Sequence, residues 1–328
     1  MTATKRIVSG MRPTGALHLG NLHGALKNWI NMQDQYECFF FIADWHALTS
    51  DYENPGNIKN YTLNMMTDWL AAGLSPEKSV LFVQSRVKEH AELFLLLSMI
   101  TPVPWLERNP TYKEQIDALE NRDLSTFGFL GYPVLQAADI IIYKADAVPV
   151  GVDQAPHIEI TREIARRYNH LYGRVFPEPE TVLTETSKIL GTDRRKMSKS
   201  YNNAIFLSDS PEDIRKKVSQ MITDPQRMKR SDPGDPSVCN VFTFHGFYSP
   251  SPLVQEVDYA CRHAEIGCVE CKKKMAEHLV EFLAPVREKI EYYRAHTEQV
   301  EQVMDAGSDK AGKVAAATLE QVREAIRI

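Results

Sequence analysis

With 328 residues, 43% of them apolar and 25% charged, the chain is too apolar for disorder to dominate, and it is long enough for two domains, because single cores stop growing near roughly 250–300 residues. A formal net charge of −5 argues against general polyanion binding, although the basic runs at 194–196, 227–230 and 272–274 leave room for a nucleic-acid partner. The opening MTATKRIVSG lacks a signal peptide's pattern and no stretch approaches the ~18 apolar residues that span a bilayer, so the sequence predicts a cytoplasmic protein with no membrane partner.

A short strand at Ile7–Ser9 runs into the turn GMRPTG at 10–15, and SGMRPTGALHLGNLHGAL then opens a helix at Gly20-Asn21. Such a turn sets backbone N–H groups and the positive helix end against an anion, which favours a phosphate site with His18 beside it as a hydrogen-bond donor. ECFFFIAD at 37–44 and SVLFVQS at 79–85 read as further strands, apolar as strands covered on both faces are, so the first half predicts a parallel α/β sheet. Cys38 belongs to that core. In YPVLQAAD a helix places Tyr132, Gln136 and Asp139 on one face, while Val148 and Val150 alternate along a strand. ILGTDRRKMSKSYNNAI at 189–205 carries Lys196 and Lys199 with Ser198 and Ser200, two ammonium groups and two hydroxyls suited to a triphosphate whose leaving pyrophosphate gains charge. Ser210-Pro211 reads as a helix N-cap followed by proline, and 231–252, rich in proline and serine, as an irregular loop. Long amphipathic helices are expected near 272–304 and 309–327, with Val314, Thr318, Val322 and Ile326 on one face.

The cysteines other than Cys38 follow a different logic. Cys239, Cys261, Cys268 and Cys271 give C-x21-C-x6-C-x2-C, and in a reducing compartment such clustering points to a metal or redox group rather than to disulfides. Four thiolates suffice for tetrahedral zinc or for a 4Fe-4S cluster. Only Cys268 and Cys271 form a C-x2-C knuckle, whereas a zinc ribbon usually has two; with zinc, His245 and His263 become alternative ligands.

HLGN at 18–21 and KMSKS at 196–200 together resemble the two signatures of the class I aminoacyl-tRNA synthetases. DWHALT at 44–49, GYPVLQAADIIIYKAD at 131–146, VPVGVDQAPHIEITREIARR at 148–167 and GSDKAGKVAAATLEQVREAI at 307–326 are similar to the bacterial tryptophanyl-tRNA synthetases among them. This resemblance implies a Rossmann-like catalytic domain with a helical insertion over 1–190, a KMSKS loop at 191–204, and a helical anticodon-binding domain with the cysteine cluster over 205–328. It also implies a homodimer acting on L-tryptophan, ATP with Mg2+, and tRNA(Trp). His18, Asn21, Lys196 and Lys199 would be catalytic. Met11, Arg12, Pro13, Thr14, Gly20, Asn21, Gly151, Asp153 and Gln154 would bind ATP together with Lys196, Met197, Ser198, Lys199 and Ser200. Gly10, His46, Tyr132, Gln136, Asp139, Val148, Val150 and Gln154 would line the tryptophan pocket, with Asp139 accepting the indole N–H. Gln136 stands where some bacterial members carry methionine, which adds a polar group to that pocket. A subset of the family holds a 4Fe-4S cluster on a spacing close to that of the four cysteines.

Rival readings are a tyrosyl-tRNA synthetase, whose archaeal type resembles Tyr132, Gln136 and Asp139; a nucleotidyltransferase without a tRNA partner; and a catalytically idle RNA-binding protein. GMRPTG, the asparagine after HLG, and VPVGVDQ favour the tryptophan reading over the first.

Overall fold

The computed structural model describes residues 4–109, 124–151, 155–183 and 189–328, and its apolar runs form a parallel sheet. The strands β1 (Arg6–Met11), β2 (Glu37–Ile42), β3 (Ser79–Val83), β4 (Ala147–Val150) and β5 (Glu180–Leu183) lie in the order β3-β2-β1-β4-β5, every neighbouring pair parallel. In β2 every residue from Cys38 to Ile42 is buried, which is why its sequence is a continuous apolar run rather than an alternating one. Cys38 sits in the core as expected, and burial pushes its thiol up to about 12. β5 gave no sequence signal because its residues ETVL lie half-buried or exposed at the sheet's edge.

Between the strands run α1 (Leu19–Asn21), a π-helical turn (Leu22–Leu26), α2 (Lys27–Met32), α3 (Asp44–Asp51), α4 (Ile58–Ala72), α5 (Glu89–Ser98), α6 (Val103–Glu107), α7 (Phe127–Ile141) and α8 (Ala155–Tyr172). After them α9 (Pro211–Ser219) starts where its cap residue predicts: the Ser210 Oγ accepts the Asp213 N–H at 3.1 Å. One expectation is corrected here. Residues 231–252 are not an irregular loop throughout, because α10 (Asn240–Tyr248) forms inside them and buries Val241, Phe244 and Tyr248. The proline and serine signal belongs only to its flanks. The chain ends in α11 (Ser251–Arg262), α12 (Cys268–Ala295) and α13 (Thr297–Ile326), the last two divided at His296 rather than near residue 304.

Two compact units result, one comprising residues 1–15, 28–185 and 296–328, the other 16–27 and 186–295. This division differs from the continuous segments expected, because α13 returns to the sheet. Its face of Met304, Ala311, Ala315, Leu319 and Val322 is buried, and of the four residues the sequence placed on one face Thr318 and Val322 are buried while Val314 and Ile326 are half-buried. The helix meets β3 backbone to backbone. A Cβ on Gly307 would lie 1.8 Å from the Leu81 carbonyl oxygen, and the Ser308 Oγ accepts the Val83 N–H at 3.5 Å. An otherwise open sheet edge is thereby covered.

Candidate functional site

In the sheet unit the strand order reverses between β1 and β4, so the crevice beyond their carboxyl ends is where an open parallel sheet binds its ligand. Gly10 and Met11 end β1 there, and Val150 ends β4 with Gly151 directly after it. Gly10 is required by close packing, since a Cβ would come within 2.5 Å of the Phe41 ring. Arg12 is exposed with its Nη1 3.4 Å from Ser50 Oγ, Pro13 is buried, and Thr14 is exposed. Asp153 and Gln154, assigned to ATP and tryptophan, lie outside the described residues.

The helix expected across YPVLQAAD forms as α7, capped by the Thr126 Oγ1. Tyr132 and Gln136 are half-buried on it while Asp139 is wholly buried. Tyr132 Oη lies 3.3 Å from His157 Nε2, and burial pushes its phenol up to about 12. Asp139 is saturated. Gln84 Nε2 donates to both its oxygens at 2.8 and 2.9 Å, His46 Nε2 approaches Oδ2 at 2.8 Å, and His90 Nδ1 approaches Oδ1 at 2.5 Å. Burial pushes this carboxyl up, but the hydrogen bonds from His46 and His90 prevail and hold it down at about 2. His90 Nε2 in turn meets the buried Tyr143 Oη at 2.5 Å. Sequence reasoning missed Gln84, His90 and Tyr143; the one available signal was a histidine inside the apolar period of EHAELFLLL. Val148 is buried and Val150 half-buried on β4, with Pro149 between them buried as well.

The second set of residues gathers in the other unit. His18 caps α1 reciprocally: its Nδ1 accepts the Asn21 N–H at 3.3 Å and its own N–H donates to Asn21 Oδ1 at 3.0 Å. No acidic residue stands in that first turn, which leaves its positive end available to an anion. Burial, then the Lys199 ammonium, lowers the imidazole to about 4, so at neutral pH it is uncharged with its proton on Nε2. The KMSKS segment lies against this turn. Leu19 N–H donates to Ile205 O at 3.0 Å, Leu207 N–H to Leu17 O at 2.9 Å, and a Cβ on Gly20 would meet Met197 Cβ at 3.5 Å. Buried Asn203, which sequence reasoning missed, shapes the loop: its Oδ1 accepts the Ser198 N–H at 2.8 Å and its Nδ2 donates to Lys196 O at 3.1 Å and Asp193 Oδ1 at 2.7 Å. Lys196 and Ser200 are exposed, Ser198 and Lys199 half-buried.

The four cysteines also come together in this unit. Burial, then the neighbouring thiols of Cys239, Cys261 and Cys268, push Cys271 up to about 12, and burial raises Cys239 and Cys261 as well. The Arg227 Nη1 lies 3.7 Å from Cys261 Sγ and 4.0 Å from Cys268 Sγ, and a Cβ on Gly234 would stand 2.6 Å from Cys261 Sγ. His245 Nε2 lies 3.5 Å from Cys271 Sγ, whereas His263 Nδ1 is turned to the Tyr259 carbonyl at 2.8 Å. Among the described residues, however, no three His, Cys, Asp or Glu side chains are grouped as ligands of one metal ion. The expected metal ligands are neighbours without being closed around a single point.

Comparison with known proteins gives a consistent result. The family described as "tRNA synthetases class I (W and Y)" matches residues 2–284. The chain is 53% identical to the tryptophan–tRNA ligase of Thermotoga maritima over 98% of this chain and 99% of that one. It is 47% identical to that of Aquifex aeolicus over 98% and 100%. Among solved structures it superposes on a tryptophanyl-tRNA synthetase from Campylobacter jejuni, complexed with ADP and tryptophan, with a TM-score of 0.91 and 33% identity, covering 98% of this chain and 100% of that chain.

Proposed function

The chain belongs to the class I tRNA synthetases for tryptophan and tyrosine, and from that membership we propose a division of labour among its residues in joining tryptophan to tRNA. It is a tryptophan–tRNA ligase. The tryptophan carboxylate attacks the α-phosphorus of ATP, an O–P bond forms as the bond to pyrophosphate breaks, and the adenylate then acylates a terminal ribose hydroxyl of tRNA(Trp) with release of AMP. Positioning and charge stabilisation suffice for both steps, and no protein nucleophile is needed.

The observation that carries the phosphate roles is the packing of the HLGN turn against the KMSKS segment, with His18 held neutral and its Nδ1 already occupied. His18 then offers Nε2–H to a phosphate oxygen, Asn21 fixes its ring, and Lys196 and Lys199 receive the charge that builds on the departing pyrophosphate. Magnesium arrives with the nucleotide, held by phosphate oxygens and water. The ATP assignments of Met11, Arg12, Pro13, Thr14, Gly20, Gly151, Asp153, Met197, Ser198 and Ser200 belong to the same reading. So do the pocket assignments of Gly10, Tyr132, Gln136, Val148, Val150 and Gln154.

Asp139 is the reader of the indole N–H. An indole offers one donor and no acceptor, so an ionised carboxylate is its proper complement. Because the lone pairs of Asp139 are already used, the substrate enters by exchange. Of its three partners Gln84 and His90 are fully buried while His46 keeps 9% exposure, so His46 is the donor that yields. The tyrosine alternative would put a phenol in the same place.

The cysteine site fits a cationic group. Burial and their neighbours raise the thiols of Cys239, Cys261 and Cys271, so positive charge is needed to ionise them, and the Arg227 guanidinium reaches only Cys261 and Cys268 within hydrogen-bonding distance of sulfur. Cys239, Cys261, Cys268 and Cys271 would hold a 4Fe-4S cluster, and it would supply a structural crosslink, setting Lys272–Lys274 toward tRNA in a helical anticodon-binding region. Assembly as a homodimer is supported by an apolar groove of about 430 Å³ on the sheet unit, lined by Trp45, Leu48, Tyr52 and Phe94, with Phe127 70% exposed nearby. No helix among the described residues is long and apolar enough to cross a membrane, and the cytoplasm is the proposed location.

Charging a tRNA mixture with labelled amino acids tests the assignment. Tryptophan should be esterified and tyrosine should not, whereas tyrosine charging, or charging with neither, would overturn it.

A further inference from the structure

α10 has a partner at each end. Its first residue follows Cys239, whose carbonyl accepts the Thr243 N–H at 3.1 Å, and His245 on its next turn meets Cys271 through both the carbonyl, at 3.3 Å from Nε2, and the sulfur. Because the Cys271 carbonyl can only accept, Nε2 carries the proton, and Nδ1 accepts from the Ser249 hydroxyl at 2.7 Å. At the far end Tyr248 is buried with its Oη 3.0 Å from His23 Nε2. His23 lies in the π-helical turn that continues α1, five residues from the capping His18. A π turn in a helix is an irregularity common at functional sites, and it spaces its side chains differently from an α turn.

Aromatic packing surrounds that hydrogen bond. The Phe247 ring stands edge-on to His23 at 5.2 Å, Phe282 of α12 lies 4.9 Å from the Tyr248 ring, and Lys27 Nζ is 5.9 Å above Phe282. The helix that bears the phosphate-binding turn is therefore tied to α10, which Cys239 immediately precedes, and to α12, which carries Cys268 and Cys271. Every residue of this chain of contacts belongs to one compact unit. The phosphate chemistry proposed above uses none of it.

We infer that Tyr248 is a positioning residue for adenylate formation, fixing His18 and Asn21 through His23, and that α10 is the strut by which the state of the cysteine site reaches the phosphate-binding turn. The inference rests on the activation reading for its kinetic part and on the cysteine ligands for its coupling part. Whatever the reaction, a contiguous run of packed and hydrogen-bonded groups acts as a strut only if disturbing one end loosens the other, which amide exchange reads directly.

Amide hydrogen exchange and steady-state kinetics on the full chain, purified anaerobically, test it. Tyr248→Phe keeps the ring and its packing and removes only the hydroxyl. It should speed exchange of the amides of residues 18–27 several-fold and raise the KM for ATP, with the KM for tryptophan unchanged. Cys268→Ser/Cys271→Ser should speed exchange in 240–248 and in 18–27, and combining it with Tyr248→Phe should add little in 18–27, since both changes break one path. Unchanged exchange and unchanged ATP KM in Tyr248→Phe would overturn the positioning role. Loosening of 240–248 without 18–27 in the cysteine variant, loosening of neither, or full additivity would overturn the coupling. If no amino acid supports activation, the functional reading fails while the exchange data still decide on the strut.

Discussion

Gly307→Ala is the sharpest test of how the last helix is docked. In an exposed helix interior the change stabilises by about 1 kcal/mol through propensity. Here the new methyl would sit 1.8 Å from the Leu81 oxygen and 2.7 Å from its carbonyl carbon, both backbone atoms that no rotamer change can move. Relief requires α13 to withdraw from β3, at an overpacking cost of about 1–3 kcal/mol and with loss of the Val83–Ser308 hydrogen bond, about 1 kcal/mol more. The net expectation is destabilisation by about 1–3 kcal/mol. Gly312 in the same helix has no atom within 4 Å of its would-be Cβ, so Gly312→Ala should stabilise by up to about 1 kcal/mol. Urea unfolding of the two variants beside the parent protein measures the contrast. Equal stabilisation by both would refute the close contact between helix and edge strand.

Asp139→Ala should strand Gln84, His46 and His90 in the interior, costing about 3–5 kcal/mol, and should narrow the kcat/KM ratio of tryptophan over phenylalanine; an unchanged ratio would remove Asp139 from the indole. His18, His23 and His245 are each lowered by burial from 6.5 to about 4, so between those values the unfolded chain binds protons that the folded one refuses. From these histidines stability should be flat between about pH 6.5 and 8 and fall on acidification toward pH 4, by up to about 1.4 kcal/mol per pH unit for each histidine, and a urea midpoint that holds constant from pH 7.5 to 5 would contradict this. Anaerobically purified protein should be brown with about four iron and four sulfide per chain, whereas a colourless protein with one zinc would overturn the cluster.

What could be read from the sequence follows from which residues carry local signals. β2 announced itself because both its faces are buried, and α9 because Ser210-Pro211 is a cap written in two residues. HLGN and KMSKS were visible as short contiguous strings. Their mutual packing was not, since it depends on strand-like pairing of Leu17–Leu19 with Ile205–Leu207 across nearly the whole length of the sheet unit's sequence. The partners of Asp139 escaped notice for a similar reason: Gln84 follows β3 and His90 lies on α5, and nothing local distinguishes a buried glutamine or histidine from an exposed one. α10 was hidden by the prolines that flank it, and the return of α13 to the sheet is a tertiary event, for an apolar face and a glycine at 307 do not say what they pack against.

Activation of tryptophan is the step this chain performs before tRNA enters, and tryptophan-dependent exchange of labelled pyrophosphate into ATP measures it. With each of the twenty amino acids supplied in turn, exchange should appear with L-tryptophan and be absent with tyrosine and phenylalanine, and Lys199→Ala should lower its rate while equilibrium tryptophan binding stays the same. Exchange driven by tyrosine, exchange that needs no amino acid, or none with any amino acid would contradict the account.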